Sequence, residues 1–284
     1  MKQKGLSKRI WVPALGLLLV ILAIAFYSGY TVRHYRVTTQ KLPTGSCLRA
    51  ALVTDLHAEP SETRRERLAS LLESAEPDVI LLCGDIYDDW RAFDGADAFL
   101  SEIAGLAPLY YVTGNHEIWS KRMPEILSRL KAHGVTVLEN DWVTLPVQGG
   151  GEILMAGLAD PDGAPSLQAW ADNARRAFTP LETDGHFRLL LSHRPEQATL
   201  YAQLPFDLTL SGHAHGGQVR IPGILNGLYA PNQGFFPKYA GGCYEDVPSG
   251  QIRIVGRGVS HYWILPRVCN PPELVCIELK GAPA

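Results

Sequence analysis

The sequence predicts an α/β fold, in which helices pack against sheets. Short apolar runs recur along the chain, and each ends in a cluster of polar residues, as strands buried on both faces do. Segments whose apolar residues repeat at helical spacing lie between these runs. Since strands that alternate with helices are typical of α/β proteins, the two observations together predict the fold class.

The predicted elements alternate along most of the chain. The predicted strands cover residues 48–54, 78–83, 109–113, 152–156, 187–191, 208–211, 251–255 and 274–279. The predicted helices cover residues 61–75, 96–106, 124–134, 166–178 and 195–204. The third helix shows the usual asymmetry of helix ends, because Pro124 stands at its start and Gly134 at its end.

Composition and charge limit the classes of protein. The length of 284 residues fits one large domain or two small ones, and 46% hydrophobic residues exclude a wholly disordered chain. The net charge of −3 is unevenly distributed, since residues 1–54 carry eight basic side chains and no acidic one. The other 18 basic and 29 acidic side chains give the body of the chain a charge of −11. An acidic body argues against a general nucleic-acid binder, which needs a basic surface.

An uncharged segment from Ile10 to Val32 lies within the basic region. Its 23 residues would allow a helix to cross a hydrocarbon core of about 30 Å, so we expect a transmembrane anchor. A cleaved signal peptide also has a basic start and an apolar stretch, and this alternative stays open. The basic residues that precede the segment favour a cytoplasmic N-terminus, with the body of the chain outside the cytoplasm.

These features divide the chain into three parts. We expect a basic flank and anchor over residues 1–32, a linker over residues 33–46 and one main domain over residues 47–284. Within the main domain, residues 216–250 hold eight glycines and four prolines with aromatic residues between them. Such a segment is either a functional loop or an irregular surface loop, and the aromatic residues favour packing near a site. Five cysteines are too few for a disulfide framework, although one disulfide stays open.

Five of the nine histidines stand at the ends of predicted strands, beside aspartate and asparagine residues. The set consists of His57, His116, His193, His213 and His215 with Asp55, Asp85 and Asn115. We expect these side chains to meet, because ligands bind at the carboxyl ends of strands in an open α/β sheet. Imidazoles combined with carboxylate or amide oxygens suit divalent Mn, Fe, Zn or Co. If one carboxylate bridges, the set can hold two ions, which together clamp a phosphoryl group and activate water.

The same residues form motifs in a characteristic order within residues 50–217. The motifs are Asp55-x-His57, Gly84-Asp85-x-x-Asp88, Gly114-Asn115-His116-Glu117, His193 and Gly212-His213-x-His215. This order resembles the calcineurin-like metallophosphoesterase family. The stretch 210–218, the N-terminal anchor and the late Pro271-Pro272-Glu273 are similar to its small membrane-anchored bacterial phosphodiesterase branch. The resemblance implies a two-sheet β-sandwich flanked by helices, with two divalent metal ions, Mn favoured, at one edge.

The resemblance also implies a role for each motif residue. One ion would be held by Asp55, His57, His215 and the bridging Asp85, and the other by Asp85, Asn115, His193 and His213. A hydroxide that bridges the ions would be the nucleophile. His116 would act as a general acid or stabilise the leaving oxygen, and Asp88 would orient it. A helix cap remains the alternative role for Asp88.

The sequence therefore predicts a membrane-anchored, metal-dependent phosphoric ester hydrolase acting on phosphodiesters or phosphomonoesters. Two alternatives stay open: a lipid-precursor pyrophosphatase of the UDP-2,3-diacylglucosamine type, and a non-catalytic metal-binding scaffold. Outside the motifs, we expect Asp160 either to support the site or to form a turn. Arg194 and Arg257 could contact phosphate, although we expect both to be exposed. We expect Asp89 and Asp94 to be solvated surface acids.

Overall fold

A computed structural model of the chain describes residues 4–183, 185–246, 248–261 and 266–283. Its helices are α1 (Lys4–Ala25), α2 (Glu62–Ala75), α3 (Asp94–Glu102), α4 (Asn115–Trp119), α5 (Met123–Ala132), α6 (Leu167–Phe178) and α7 (Ala198–Tyr201). The strands of the early half are β1 (Thr31–Thr39), β2 (Cys47–Val53), β3 (Val79–Cys83), β4 (Leu109–Val112), β5 (Thr136–Val137), β6 (Asp141–Pro146) and β7 (Glu152–Leu158). Those of the late half are β8 (Phe187–Ser192), β9 (Leu208–Ser211), β10 (Tyr229–Ala230), β11 (Gly234–Phe235), β12 (Gly242–Asp246), β13 (Gln251–Val255) and β14 (Glu273–Gly281).

The strands form two six-stranded sheets and one short hairpin. The first sheet has the order β1-β14-β2-β3-β4-β5, and the second has the order β12-β13-β9-β8-β7-β6. In the first sheet β2, β3 and β4 run parallel to one another. In the second sheet β7, β8 and β9 also run parallel. In each sheet, the carboxyl ends of three neighbouring parallel strands therefore lie at the same edge.

Apolar side chains fill the space between the two sheets, and further apolar side chains cover the outer face of each sheet. The central core joins residues such as Leu52 and Leu81 of the first sheet to Met155 and Leu210 of the second. Helices α2, α3 and α5 pack on the outer face of the first sheet, and α6 and α7 pack on that of the second. This arrangement confirms the predicted two-sheet α/β fold flanked by helices.

The predicted transmembrane segment overlaps helix α1. Among the helices formed by the described residues, none is both long enough and apolar enough to cross a membrane. The predicted transmembrane helix is therefore not confirmed. The first three residues of the predicted basic flank lie outside the described residues, and residues 11–24 are all exposed.

The segment expected to be a linker, residues 33–46, instead contains most of strand β1. This strand lies at the edge of the first sheet and pairs in parallel with β14. Val37 belongs to the core between the sheets and Tyr35 packs against it, whereas Arg36 between them and Thr38 after them are exposed. Because only one side of such a strand is buried, it lacks the continuous apolar run that marks a central strand. The five cysteines all lie in the described residues and are free, so the disulfide left open is not formed.

Candidate metal centre

The seven predicted ligands lie at one edge of the two sheets, where the parallel strands end. Asp55 and His57 follow β2, Asp85 follows β3, Asn115 follows β4, His193 follows β8, and His213 and His215 follow β9. Six of them are at most 2% exposed, and the side chain of His215 is 14% exposed. Burying so many polar groups together is unfavourable unless each finds a partner.

Two groups of ligand atoms form within this edge. The first group consists of Asp55, His57 and His215, whose ligand atoms lie within 4.8 Å of one another. In it, His215 Nε2 is 3.5 Å from Asp55 Oδ1 and 3.4 Å from His57 Nε2. Two imidazole nitrogens and a carboxylate oxygen therefore face one point.

The second group consists of Asp85, His193 and His213, whose ligand atoms also lie within 4.8 Å of one another. His193 Nε2 is 3.0 Å from Asp85 Oδ2, and the same Asp85 oxygen is 3.9 Å from His57 Nε2 in the first group. Asp85 thus lies between the two groups, in the position expected of a bridging ligand.

Several buried atoms of the second group lack a hydrogen bond. In the part of the chain that the structure describes, Asp85 Oδ2, Asn115 Oδ1 and His193 Nε2 are buried without a hydrogen-bond partner. Buried polar atoms are normally hydrogen-bonded, so three exceptions at one place need an explanation. Divalent metal ions use this combination of imidazole nitrogen and hard oxygen as ligands, and the residues present fit such ions.

Hydrogen bonds at the far side of two imidazoles define their tautomers. His193 Nδ1 lies 2.8 Å from the carbonyl oxygen of Cys83, which can only accept, so Nδ1 carries the proton. His57 Nδ1 likewise donates to Asp88 Oδ2 at 3.1 Å. In both rings Nε2 is left to present a lone pair to the centre, which is the arrangement that metal-ligating histidines use.

The backbone around the ligands is closely packed and unusual in conformation. A Cβ atom at Gly114 would lie 2.2 Å from Asp85 Oδ1, and one at Gly84 would lie 2.4 Å from the ring of His193. Glycine at these two motif positions therefore makes room for the neighbouring ligands. Five ligands have a positive φ, namely Asp55, His57, Asp85, His213 and His215. Such strain at non-glycine residues is characteristic of functional sites.

The pKa values of the buried ligand groups are shifted strongly from their usual ranges. Burial would raise the pKa of Asp85, but the neighbouring His193 holds it well below its usual range. Burial would lower the pKa of His193, but Asp85 and Asp55 outweigh burial and raise the pKa to about 10. Burial lowers the pKa of His213 and that of His215 to about 3, so both rings are neutral at pH 7. Asp85, His213 and His215 are therefore already in the protonation states that bind cations, whereas His193 must first lose a proton.

Comparison with known proteins agrees with this geometry. The family model described as calcineurin-like phosphoesterase matches residues 48–217. The chain belongs to the calcineurin-like phosphoesterase family. The prediction of a metal-dependent phosphoester hydrolase is therefore confirmed at the level of the family.

Curated relatives of this phosphoesterase include bacterial and animal proteins. An uncharacterized metallophosphoesterase of Aquifex aeolicus is 27% identical, over 88% of this chain and 92% of the relative. Phosphodiesterase YaeI of Escherichia coli is 30% identical, over 72% of this chain and 71% of the relative. A Bos taurus protein named "Transmembrane protein with metallophosphoesterase domain" is 27% identical over 85% of this chain, which spans 55% of that relative.

Solved structures share the fold of this phosphoesterase. The NAD nucleotidase of Haemophilus influenzae has a TM-score of 0.51 and 17% identity, over 75% of this chain and 50% of that one. GAP50 of Plasmodium has a TM-score of 0.51 and 12% identity, over 82% of this chain and 81% of that one. At these identities the likeness concerns the fold.

The predicted partner of His116 needs a correction. Asp88 was expected to orient His116; its carboxylate lies within 4.8 Å of the His116 ring, but the hydrogen bond that its Oδ2 accepts comes from His57. The carboxylate that accepts a hydrogen bond from His116 Nδ1 is that of Asp89, whose Oδ1 is 2.6 Å away. Asp89 is thus part of the site and not a solvated surface acid. Burial would lower the pKa of His116, but Asp85, Asp88 and Asp89 outweigh burial and raise it.

Glu117, the last residue of the Gly-Asn-His-Glu motif, has a structural role that the sequence analysis did not assign. Its carboxylate is fully buried and accepts four backbone N–H bonds of 2.7–2.9 Å. The donors are Gly114 and the three consecutive residues 85–87. Glu117 therefore ties the loop that carries Asp85 to the loop that carries Asn115. The sequence does mark this residue, because Glu117 is the last position of the Gly114-Asn115-His116-Glu117 motif.

The structure also tests the expectations for Arg194, Asp160 and Arg257. Arg194 is only 2% exposed, which corrects the expectation of an exposed arginine. Its Nε and Nη2 donate to both carboxylate oxygens of Asp160, at 2.6 and 2.9 Å. Asp160 also accepts from the backbone N–H of Asp162, so it both supports the site and forms a turn. Arg257 is partly buried, with Nε 3.3 Å from Glu273 Oε2.

Proposed function

We propose that this chain is a two-metal phosphodiesterase. The observation that carries the proposal is the pair of ligand groups with Asp85 between them, at distances of 3.0 Å from His193 and 3.9 Å from His57. Asp55, His57 and His215 would hold one ion, and Asn115, His193 and His213 the other, with Asp85 shared. Two divalent ions at such a site activate water and neutralise the oxygens of a phosphoryl group during in-line displacement.

His116 would supply the proton chemistry on the side of the leaving group. The backbone N–H of His116 donates to Asp85 Oδ1 at 2.9 Å, which places its ring beside the shared carboxylate. Asp89 keeps the proton on Nδ1 and leaves Nε2 to exchange a proton with the substrate. A raised pKa favours the protonated ring at neutral pH, as a general acid requires.

A cavity of about 530 Å³ beside the centre offers room for the leaving group of a phosphoester. The side chains that line it include Trp119, Asp162, Arg194, Gln197 and Asn232. The ring of Trp119 lies 5.0 Å from that of His116, so the cavity opens next to the leaving-group side. Both a phosphomonoester and a phosphodiester have a leaving group that this cavity can hold, so the choice of a phosphodiester as substrate is supported by the similarity to phosphodiesterase YaeI.

The proposal is tested with an aryl phosphodiester and the matching monoester in the presence of Mn. We expect diester hydrolysis by the natural protein, and a loss of more than about 100-fold in Asp85→Asn, since residues that only orient a ligand already contribute about 10–100-fold. His34→Ala is the control, because it removes an exposed imidazole on edge strand β1. Undiminished activity of Asp85→Asn would refute the proposal.

The same assay distinguishes the alternatives. Mn binding without hydrolysis of either ester would favour the non-catalytic scaffold. Faster turnover of a lipid-linked pyrophosphate than of the aryl diester would favour the lipid-precursor pyrophosphatase. The exposed rings of Phe235 and Phe236, each 70% exposed on the loop that carries Asn232, motivate the lipid comparison.

We also propose that helix α1 attaches the catalytic domain to a membrane, with the domain outside the cytoplasm. Its exposed side chains are almost all apolar, with Trp11 at 71% and Ile24 at 66% exposure. Relatives in Bos taurus and Danio rerio carry the word transmembrane in their names. Cell fractionation of the full chain and of a chain lacking residues 1–30 tests attachment, and protease treatment of intact cells tests orientation. Recovery of the full chain in the soluble fraction would refute attachment.

A further inference from the structure

The side chain of Asn232 contacts a metal ligand from outside the family motifs. Asn232 lies between strands β10 and β11, within the glycine-rich segment 216–250, and has a φ of 59°. Its Oδ1 is 2.9 Å from His213 Nε2 and 2.9 Å from Arg194 Nη1. The segment 216–250, which follows the ligand His215 in the chain, thus also contacts the ligand His213 through the amide of Asn232.

The chemistry of Arg194 identifies each atom in this contact. A guanidinium has donors and no acceptor, so the Asn232 atom that faces Arg194 must be the oxygen. That oxygen can only accept, so His213 Nε2 carries its proton and donates a hydrogen bond to Asn232 at 2.9 Å, a closer contact than the 3.4 Å between His213 Nε2 and Arg194 Nη1. The lone pair of His213 is then on Nδ1, the nitrogen that remains for a metal ion. His213 therefore presents the opposite nitrogen from His57 and His193.

Asn232 itself is held by a buried charge pair. Arg194 is 2% exposed and forms two hydrogen bonds with Asp160, which is also 2% exposed. Asp160 follows strand β7, and Arg194 follows β8, the neighbour of β7 in the second sheet. Hydrogen bonds therefore run from Asp160 through Arg194 and Asn232 to His213. Asn232 is an exposed residue, and if its oxygen turned away, Arg194 Nη1 would keep only longer contacts, with His213 Nε2 at 3.4 Å and Glu196 Oε1 at 3.8 Å.

We propose that Asn232 is a positioning residue for metal binding: it holds His213 in the tautomer whose Nδ1 faces the ion of the second group. The proposal rests on the proposed function, because it takes His213 to be a metal ligand. It assigns the segment 216–250 a role in the affinity of one of the two ions. The ion held by Asp55, His57 and His215 does not depend on this contact.

The test is a Mn titration of the metal-free full chain by calorimetry, with three variants. Asn232→Leu removes the acceptor at similar size, and Asn232→Asp restores an acceptor oxygen for both Arg194 and His213. Asn226→Leu makes the same replacement in the same segment, where the amide contacts Tyr244 and Arg220 instead. We expect Asn232→Leu to weaken one of two binding events by about 10–100-fold. Asn232→Asp and Asn226→Leu should bind both ions as the natural protein does.

The ring nitrogens of His213 supply a second readout that a general loss of structure would not reproduce. Nitrogen-15 shifts of the metal-free protein should show a proton on Nε2 in the natural chain and a mixture of tautomers in Asn232→Leu. Unchanged affinities in Asn232→Leu, equal weakening of both events, or an Asn232→Asp variant as weak as Asn232→Leu would overturn the proposal. A natural protein that binds two ions but hydrolyses no phosphoester would refute the proposed function and leave the role of Asn232 standing.

Discussion

The two sheets contribute different chemistry to the centre. The loops of the first sheet supply all the oxygen ligands, namely Asp55, Asp85 and Asn115, and one imidazole, that of His57. The loops of the second sheet supply only imidazoles, those of His193, His213 and His215. The first side therefore brings the negative charge that attracts cations, and the second brings imidazoles, which bind a cation only when they are neutral.

The two sides are also held in place differently. On the first side the buried carboxylate of Glu117 accepts four backbone N–H bonds and so orders two loops at once. On the second side His193 and His213 each depend on one acceptor, the carbonyl of Cys83 and the amide of Asn232. A change on the first side should thus affect the whole site, and a change on the second side one ligand.

The largest effect is expected from Glu117→Gln. A glutamine has one accepting oxygen, and its NH₂ group would face N–H donors, so two of the four backbone groups lose their acceptor. Leaving two buried groups unpaired should lower the free energy of unfolding by about 3 kcal/mol. Urea denaturation measures this loss. Glu66→Gln, at an exposed glutamate on α2, is the control, and an equally small loss in both variants would contradict the role of Glu117.

A smaller and more selective effect is expected from two adjacent acids on the first side. Asp88→Asn should weaken metal binding by about 10–100-fold, because Asp88 orients the ligand His57. Asp89→Asn should leave metal affinity unchanged and lower kcat by a similar factor, because Asp89 pairs with His116. Metal titration and steady-state kinetics of both variants measure the two effects. If Asp88→Asn lowered kcat at saturating metal while Asp89→Asn did not, the assignment of the two acids would be reversed.

The sequence predicts the central strands and the ligands better than it predicts edges and supports. Central strands such as β3 are continuous apolar runs, so their position and the polar residues after them are visible locally. Strands β1 and β6 lie at sheet edges, where half of the side chains meet solvent and the apolar run is interrupted. They were therefore missed.

The supports of the site depend on tertiary contacts. Whether Asp88 or Asp89 faces His116 depends on the turn after β3, since adjacent side chains point in different directions. Arg194 and Asn232 are 38 positions apart and meet only because the segment 216–250 folds back on the sheet edge. Their residue types give no local sign of that contact.

The smallest expected effect concerns pH and separates the three imidazoles of the second side. The pKa of His193 is raised to about 10, so its protonated ring stabilises the metal-free protein fully below about pH 6.5, and this stabilisation is lost as the pH rises through 10. A metal ion needs the neutral ring, so binding must release the proton of His193, and affinity should rise up to about tenfold per pH unit. His213 and His215, with a pKa of about 3, have no proton to release at pH 7. Calorimetric Mn titrations in buffers of different ionisation enthalpy count the protons. We expect about one from these three rings; a count of three, or an affinity independent of pH, would show that the second side titrates as a uniform set.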